Sequence, residues 1–105
     1  MSHVARLGEL HQLEPRVIIV DGEQVALVRI RDDVYAFSPM CTHRDAPLLE
    51  GAVTWNAVIM CPWHLGTFNL RAGGTPLGGP VEAPLPCHRV RIEGDKVYVT
   101  LAHRP

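Results

Sequence analysis

Long apolar runs are missing from this sequence of 105 residues, although 47% of them are hydrophobic. A membrane-spanning helix needs about 18 consecutive apolar residues, and the first apolar run, residues 17–20, is also far too short for the core of a signal peptide. We therefore expect a cytoplasmic protein without a membrane partner. A chain of this length and composition can bury one core without disulfides, which predicts a single domain over residues 1–105.

An excess of charge of one sign is also missing. The chain has 10 lysines and arginines against 11 aspartates and glutamates, and its formal net charge is -1. A nucleic-acid backbone requires a basic stripe, which this sequence does not contain. Nucleic acid is therefore not an expected partner.

Cysteine is rare, with three residues at Cys41, Cys61 and Cys87. An odd number of cysteines in a cytoplasmic protein argues against a disulfide framework. Metal ligation or simple burial explains these cysteines better.

Short β-branched runs separated by turn residues make up both ends of the chain. The runs are residues 16–20, 24–30, 34–38, 88–93 and 96–101. The first three predict an antiparallel meander, and the last two alternate around Gly94-Asp95, which predicts a β-hairpin. Helix is scarce, with one possible turn over residues 46–50. The pattern is that of an all-β protein.

The middle region, roughly residues 39–86, has a different composition because prolines, glycines and two Cys/His pairs concentrate there. Prolines fix φ and remove backbone donors. We therefore expect a loop-rich subdomain that is held by something other than strand ladders. Its stretch GGTPLGG, residues 73–79, is flexible enough to be a mobile loop.

Two of the cysteines are paired with histidines in the pattern Cys-x-His and then Cys-x-x-His. The residues are Cys41, His43, Cys61 and His64, with 17 residues between the pairs. Thiolate and imidazole donors suit zinc or an iron-sulfur cluster rather than calcium or magnesium. The uneven spacing argues against zinc, because zinc ribbons and knuckles usually repeat Cys-x2-Cys or a helical His pair.

This motif resembles the signature of the Rieske family, which is Cys-x-His followed after about sixteen residues by Cys-x-x-His. The resemblance implies an antiparallel β-sandwich with a loop-rich subdomain that binds one [2Fe-2S] cluster. It also implies that Cys41 and Cys61 hold one iron while His43 and His64 hold the other. The mixed ligation leaves less negative charge on the cluster than four thiolates would, so reduction is easier than in plant-type ferredoxins.

Residues beside the ligands separate this chain from the high-potential Rieske proteins of cytochrome bc complexes. Those proteins have two additional cysteines, joined as a disulfide, where this sequence has Ala46 and Trp63. They also have a serine and a tyrosine, which stabilise the reduced cluster, where this sequence has Gly66 and Phe68. Without those hydroxyl donors we expect a potential toward the lower end of the Rieske range.

The sequence is similar to the small ferredoxins of bacterial aromatic-ring dioxygenase systems over about residues 17–101. The stretches CTHRDAPLLEG, CPWHLGTFNL and PLPCHRVRIEGDKVYV carry the similarity. The segment Gly79-Pro80-Val81-Glu82 lies where that family has a proline loop over the cluster, but it departs from the usual Gly-Pro-Ala-Pro at its last two positions.

The resemblance implies a one-electron carrier between a flavin reductase and the Rieske centre of a terminal oxygenase in aromatic-hydrocarbon catabolism. The chain would not itself be an enzyme, because it has no dinucleotide fingerprint and no room for a second domain with mononuclear iron. We expect a monomer, because electron-transfer contacts are small. The partners would dock transiently near His43 and His64, beside an apolar rim of Ala46, Pro47 and Leu48.

Two alternatives remain open on the sequence alone. One is the small Rieske-type subunit of an assimilatory nitrite reductase, which has a similar length and strand pattern. The other is a zinc-stabilised binding module without a redox role, which would be colourless. The sequence does not identify the aromatic substrate, since a ferredoxin does not contact it.

The remaining candidates have simpler interpretations. Trp63 is either a core aromatic or a docking contact near the cluster. Cys87 has no partner at ligand spacing and is predicted to be a buried structural thiol. His3, His11, His88 and His103 are predicted to be surface or terminal residues.

Overall fold

The computed structural model describes residues 4–39, 51–61, 66–78 and 85–101. In these segments the chain forms nine strands: β1 (Ala5–Arg6), β2 (Arg16–Val20), β3 (Glu23–Ile30), β4 (Asp33–Phe37), β5 (Val58–Met60), β6 (Thr67–Asn69), β7 (Thr75–Gly78), β8 (Cys87–Glu93) and β9 (Lys96–Thr100). Short 3-10 turns cover Leu7–Glu9 and Leu70–Ala72. The predicted all-β class is confirmed. None of these segments holds a helix with the length and apolar character needed to cross a membrane.

Six strands form one antiparallel sheet in the order β1-β9-β8-β4-β3-β2. The predicted meander is confirmed as β2-β3-β4, and the predicted hairpin is confirmed as β8-β9. The first turn follows from local chemistry, because Asp21 (φ 49°) and Gly22 (φ 81°) are both in the left-handed region. A two-residue turn with both residues in this region has a backbone twist that matches the right-handed twist of the flanking strands.

A second antiparallel sheet, in the order β5-β6-β7, lies within the proline-rich middle region. The expectation that this region lacks strand ladders is therefore wrong, and so is the expectation that residues 73–79 form a mobile loop, since Thr75–Gly78 is a strand. Pro76 is tolerated because β7 is paired only with β6 in the described part of the chain, and prolines occur in sheets at edges. The proposed one-turn helix at residues 46–50 lies outside the described residues.

Two clusters of buried apolar side chains hold the sheets together. The first joins the small sheet to the large one and contains Phe37 of β4, Ile59 of β5 and Phe68 of β6, all fully buried. The second lies on the opposite side of β4 and is built by Ala5, Leu10, Val20, Val25, Leu27, Val34, Ala36, Val97, Val99 and Leu101. Side chains alternate between the two faces of a strand, so β4 contributes to both clusters. The boundary of the predicted subdomain at residues 39–86 stays a prediction.

Candidate metal centre

Cys61 is the one predicted ligand that lies within the described residues, and it directly follows β5. Its side chain is fully buried in the first core. The backbone N–H of Cys61 donates a hydrogen bond to the carbonyl oxygen of Gly66 at 2.7 Å. This bond joins the residue after β5 to the residue before β6.

Described residues that flank three chain segments, 40–50, 62–65 and 79–84, lie near Cys61. Met60 of β5 is paired with Thr67 of β6, and Thr67 is paired in turn with Gly78 of β7. On the other side of β5, the N–H of Met60 donates to the carbonyl oxygen of Ala52 at 3.0 Å. One end of the small sheet therefore collects residues that flank segments 40–50, 62–65 and 79–84.

Two further hydrogen bonds hold the segment that leads into β8. The N–H of Ser38, directly after β4, donates to the carbonyl oxygen of Pro86 at 2.9 Å. The N–H of Leu85 donates to the carbonyl oxygen of Gly74 at 2.8 Å. Gly74 precedes Thr75, which is paired with Asn69, so the second bond lies at the end of the small sheet opposite Cys61. The chain enters segment 40–50 from β4 and leaves segment 79–84 toward β8.

Cys41, His43 and His64 lie outside the described residues, as do Trp63, the apolar rim and Gly79–Glu82. Within segments 4–39, 51–61, 66–78 and 85–101, no three histidine, cysteine or acidic side chains come together. The four-ligand set therefore stays a prediction. A buried thiol at a closed loop fits an iron-sulfur cluster, because thiolate sulfur is a soft ligand and burial limits access of water.

Gly66 and Phe68 occupy the positions where hydroxyl groups would raise the potential. Phe68 is fully buried and is paired with Ile59 across β5 and β6. Gly66 is buried and its carbonyl oxygen accepts the hydrogen bond from Cys61. Neither residue has a hydroxyl group to donate, which is consistent with the predicted lower potential.

Cys87 and His88 begin β8, and they face different cores. Cys87 is half-buried against the first core. His88 is only 9% exposed and is paired with Ala36 of β4. The expectation that His88 is a surface residue is therefore wrong. The reason is strand alternation, which places His88 on the same face as Val90 and Ile92. His11 is exposed as expected, while His3 and His103 lie outside the described residues.

Burial raises the pKa of the Cys87 thiol from 9.0 to about 11 because the thiolate would lose its hydration. We therefore expect the rate of alkylation of Cys87 by iodoacetamide to rise with pH around a midpoint near 11, instead of near 9. Mass spectrometry of the peptide that contains Cys87 measures this rate in the folded protein. The urea-unfolded chain is the control. A folded-state midpoint at or below the unfolded one would contradict the assigned burial.

Gly74 lies at the end of the small sheet opposite Cys61 and supports the packing of that sheet. It has φ 83°, and a side chain there would overlap the carbonyl oxygen of Leu85. It therefore allows the close approach of the two chain segments that precede β7 and β8. The adjacent pair Gly73-Gly74 was the available sequence signal, since glycines mark positive φ and close backbone contacts.

The sequence matches a family profile described as the Rieske [2Fe-2S] domain over residues 1–89. A curated relative, ferredoxin CarAc of Metapseudomonas resinovorans, is 38% identical over 84 residues, which are 80% of this chain and 77% of that protein. The ferredoxin component of the naphthalene 1,2-dioxygenase system of Pseudomonas aeruginosa is 32% identical over 85 residues, or 81% of this chain and 80% of that protein.

Solved structures show the same similarity. The ferredoxin of carbazole 1,9a-dioxygenase from Nocardioides aromaticivorans IC177 has a TM-score of 0.85 and 36% identity, and covers 92% of this chain and 93% of its own. A chain in a complex of reduced oxygenase and oxidized ferredoxin of carbazole 1,9a-dioxygenase has a TM-score of 0.81 and 33% identity, and the match covers 92% of this chain and 89% of that chain. A structure described as a putative nitrite reductase small subunit has a TM-score of 0.81 and 25% identity, and the match covers 93% of this chain and 95% of that chain.

Proposed function

Since the chain belongs to the Rieske [2Fe-2S] domain family, we propose that it is the one-electron carrier of an aromatic-ring dioxygenase system. Its relatives are named as ferredoxins of such systems. The protein binds a [2Fe-2S] cluster and carries electrons, and it is not itself the catalyst of the oxygenation. The cluster supplies reversible uptake of one electron, at a potential that its ligands and surroundings set.

The proposed ligands are Cys41 and Cys61 on one iron and His43 and His64 on the other. The observation that supports this assignment is that described residues next to both ligand segments lie beside Cys61. The hydrogen bond from Met60 puts Ala52, which follows segment 40–50 in sequence, beside β5, and the bond from Cys61 joins the two described residues on either side of segment 62–65. Both pairs of ligands therefore belong to segments that join the same end of the small sheet.

The proposed electron acceptor is the Rieske centre of a terminal oxygenase, and the proposed donor is a flavin reductase. A solved complex in which oxygenase and ferredoxin of carbazole 1,9a-dioxygenase are bound to each other supports the first of these. Docking near His43 and His64 would bring the cluster close to the acceptor. The cytoplasmic location and the monomeric state remain predictions from the sequence.

Low-temperature electron paramagnetic resonance of the dithionite-reduced protein tests the proposed cluster. We expect a broad rhombic signal with a low average g value, because nitrogen ligands on one iron distinguish this cluster from the all-thiolate type. The oxidised protein should be coloured. A colourless protein that contains zinc would instead support the alternative of a zinc-stabilised binding module.

Electron delivery to a named oxygenase tests the proposed partner. The terminal oxygenase of carbazole 1,9a-dioxygenase from Nocardioides aromaticivorans IC177 is a suitable acceptor, since its own ferredoxin is 36% identical to this chain. Reoxidation of the reduced ferredoxin on mixing with this oxygenase, with matching reduction of the oxygenase's Rieske centre, would support the proposal. The structural similarity to a putative nitrite reductase small subunit favours a second candidate function, which would require electron exchange with a nitrite reductase instead.

A further inference from the structure

The outer face of the β8-β9 hairpin carries arginine and aromatic side chains that the proposed electron transfer does not use. Val90 and Ile92 of β8 point toward the second core. Alternation therefore places Arg89 and Arg91 on the other face, where Arg89 is paired with Thr100 and Arg91 with Tyr98. These four side chains line a shallow groove of about 320 Å³.

Among the described residues, one arginine of this face has a carboxylate partner and the other has none. The Nε of Arg91 lies 3.0 Å from Oε2 of Glu93, and its guanidinium stacks over Tyr98 at 4.6 Å from the ring centre. Arg89 is exposed, and no carboxylate of the described residues lies within ion-pair distance of it. Its partner across the hairpin, Thr100, is neutral. The described part of this face therefore carries uncompensated positive charge.

The positive face continues from the hairpin to the small sheet. Tyr35 precedes Ala36, and Arg89 follows His88, which is the pairing partner of Ala36. Tyr35 and Arg89 are therefore the next residues along the same antiparallel pair and lie on the same face. The Nε of Arg71 donates to the hydroxyl oxygen of Tyr35 at 3.3 Å. We call the surface of Arg71, Tyr35, Arg89, Arg91 and Tyr98 the arginine strip.

Acidic side chains lie at the borders of the arginine strip. Asp33 begins β4, two residues before Tyr35, and is exposed. Glu93 ends β8 and is engaged by Arg91. Neither carboxylate makes an ion pair with Arg71 or Arg89 within the described residues. Within the described residues, the two arginines at the centre and at the small-sheet end of the strip therefore have no carboxylate partner.

We propose that the arginine strip is a docking surface for a carboxylate-rich patch on a redox partner protein. This proposal rests on the proposed function for the nature of the partner. Guanidinium groups match carboxylates in a planar, two-bond geometry, and arginine and tyrosine are enriched at protein interfaces. A long polyphosphate is a poorer occupant, because three arginines on a chain of net charge -1 neutralise few phosphates.

The arginine strip begins at the end of the small sheet opposite the candidate metal centre. Arg71 lies in the 3-10 turn that directly follows β6. The opposite end of β6 begins at Thr67, next to Gly66 and its hydrogen bond from Cys61. A partner on the strip would therefore lie beside the small sheet, and charge attraction between the strip and its carboxylates would speed the encounter of the two proteins.

Binding of poly-L-glutamate to the isotope-labelled holoprotein tests this surface at low ionic strength. We expect backbone amide shifts at residues 71, 89, 91 and 98, and binding that weakens as salt rises to physiological strength. The variant Arg89→Gln should weaken binding by about fivefold. Arg16→Gln is the matched control, because Arg16 is an exposed arginine on β2 outside the strip, and this variant should weaken binding by less than about twofold.

Three results would overturn the proposal. The first is an equal loss of affinity in both variants, which would indicate a response to net charge alone. The second is a set of amide shifts outside the strip. The third is tighter binding of inorganic polyphosphate of matched charge at the same amides, which would assign the surface to a phosphate polymer. No electron transfer enters this experiment, so it can fail while the electron-carrier function stands, and a protein without iron would contradict only the latter.

Discussion

Replacement of Cys61 by serine is expected to remove the cluster, with iron falling from about two atoms per chain to nearly none. A serine hydroxyl stays protonated at neutral pH, so it does not replace a thiolate as an iron ligand. Iron and acid-labile sulfide analysis, together with the visible spectrum, measures the loss.

Cys87→Ser is the matched control for this prediction. Cys87 is also packed against the first core, but it lies at the start of β8, away from the closed loop at Cys61. We expect Cys87→Ser to retain both iron atoms and the visible spectrum. Circular dichroism of both variants separates cluster loss from unfolding. Equal iron content in Cys61→Ser and the unsubstituted protein would contradict the ligand assignment, as would loss of the cluster in Cys87→Ser alone.

The large sheet was predictable where its structure is local in sequence. Asp21-Gly22 and Gly94-Asp95 lie between runs of alternating β-branched residues, and each fixes a hairpin through glycine at positive φ. The same alternation could have predicted the burial of His88, because it shares a face with Val90 and Ile92.

The small sheet was not predictable because its strands are too short to show a period. β5 and β6 have three residues each, and β7 contains a proline. A window of three residues cannot distinguish alternation from a helical pattern. The contacts that stabilise these strands come from Phe37 of β4 and other residues distant in sequence, which local propensity does not include.

The candidate ligands could be predicted from their spacing, but the frame around them could not. The Cys/His pattern is visible in the sequence because donor type and spacing are local properties. The hydrogen bonds of Ser38 to Pro86 and of Leu85 to Gly74 join residues that are far apart along the chain. Backbone groups of this kind have no residue-type signature, so only the three-dimensional structure shows that they meet.

Gly74→Ala should be strongly destabilising because two separate costs add at this position. The backbone of Gly74 has φ 83°, which an alanine adopts only with strain of about 1 kcal/mol or more. In addition, the new methyl carbon would overlap the carbonyl oxygen of Leu85 and would lie 2.9 Å from its carbonyl carbon and 3.0 Å from Sγ of Cys87. Relief of this overlap requires the loss of the hydrogen bond from Leu85 to Gly74.

We expect Gly74→Ala to lower the free energy of unfolding by about 3 kcal/mol or more, and the melting temperature by about 15 °C. Gly73→Ala isolates the backbone cost, because Gly73 has φ 70° but no atom within 4 Å of the added carbon. That control should lose only about 1 kcal/mol. Thermal melts of the two holoproteins by circular dichroism measure the difference. Equal melting temperatures would show that the close approach of Gly74 to Leu85 does not stabilise the contact between the start of β7 and the segment before β8.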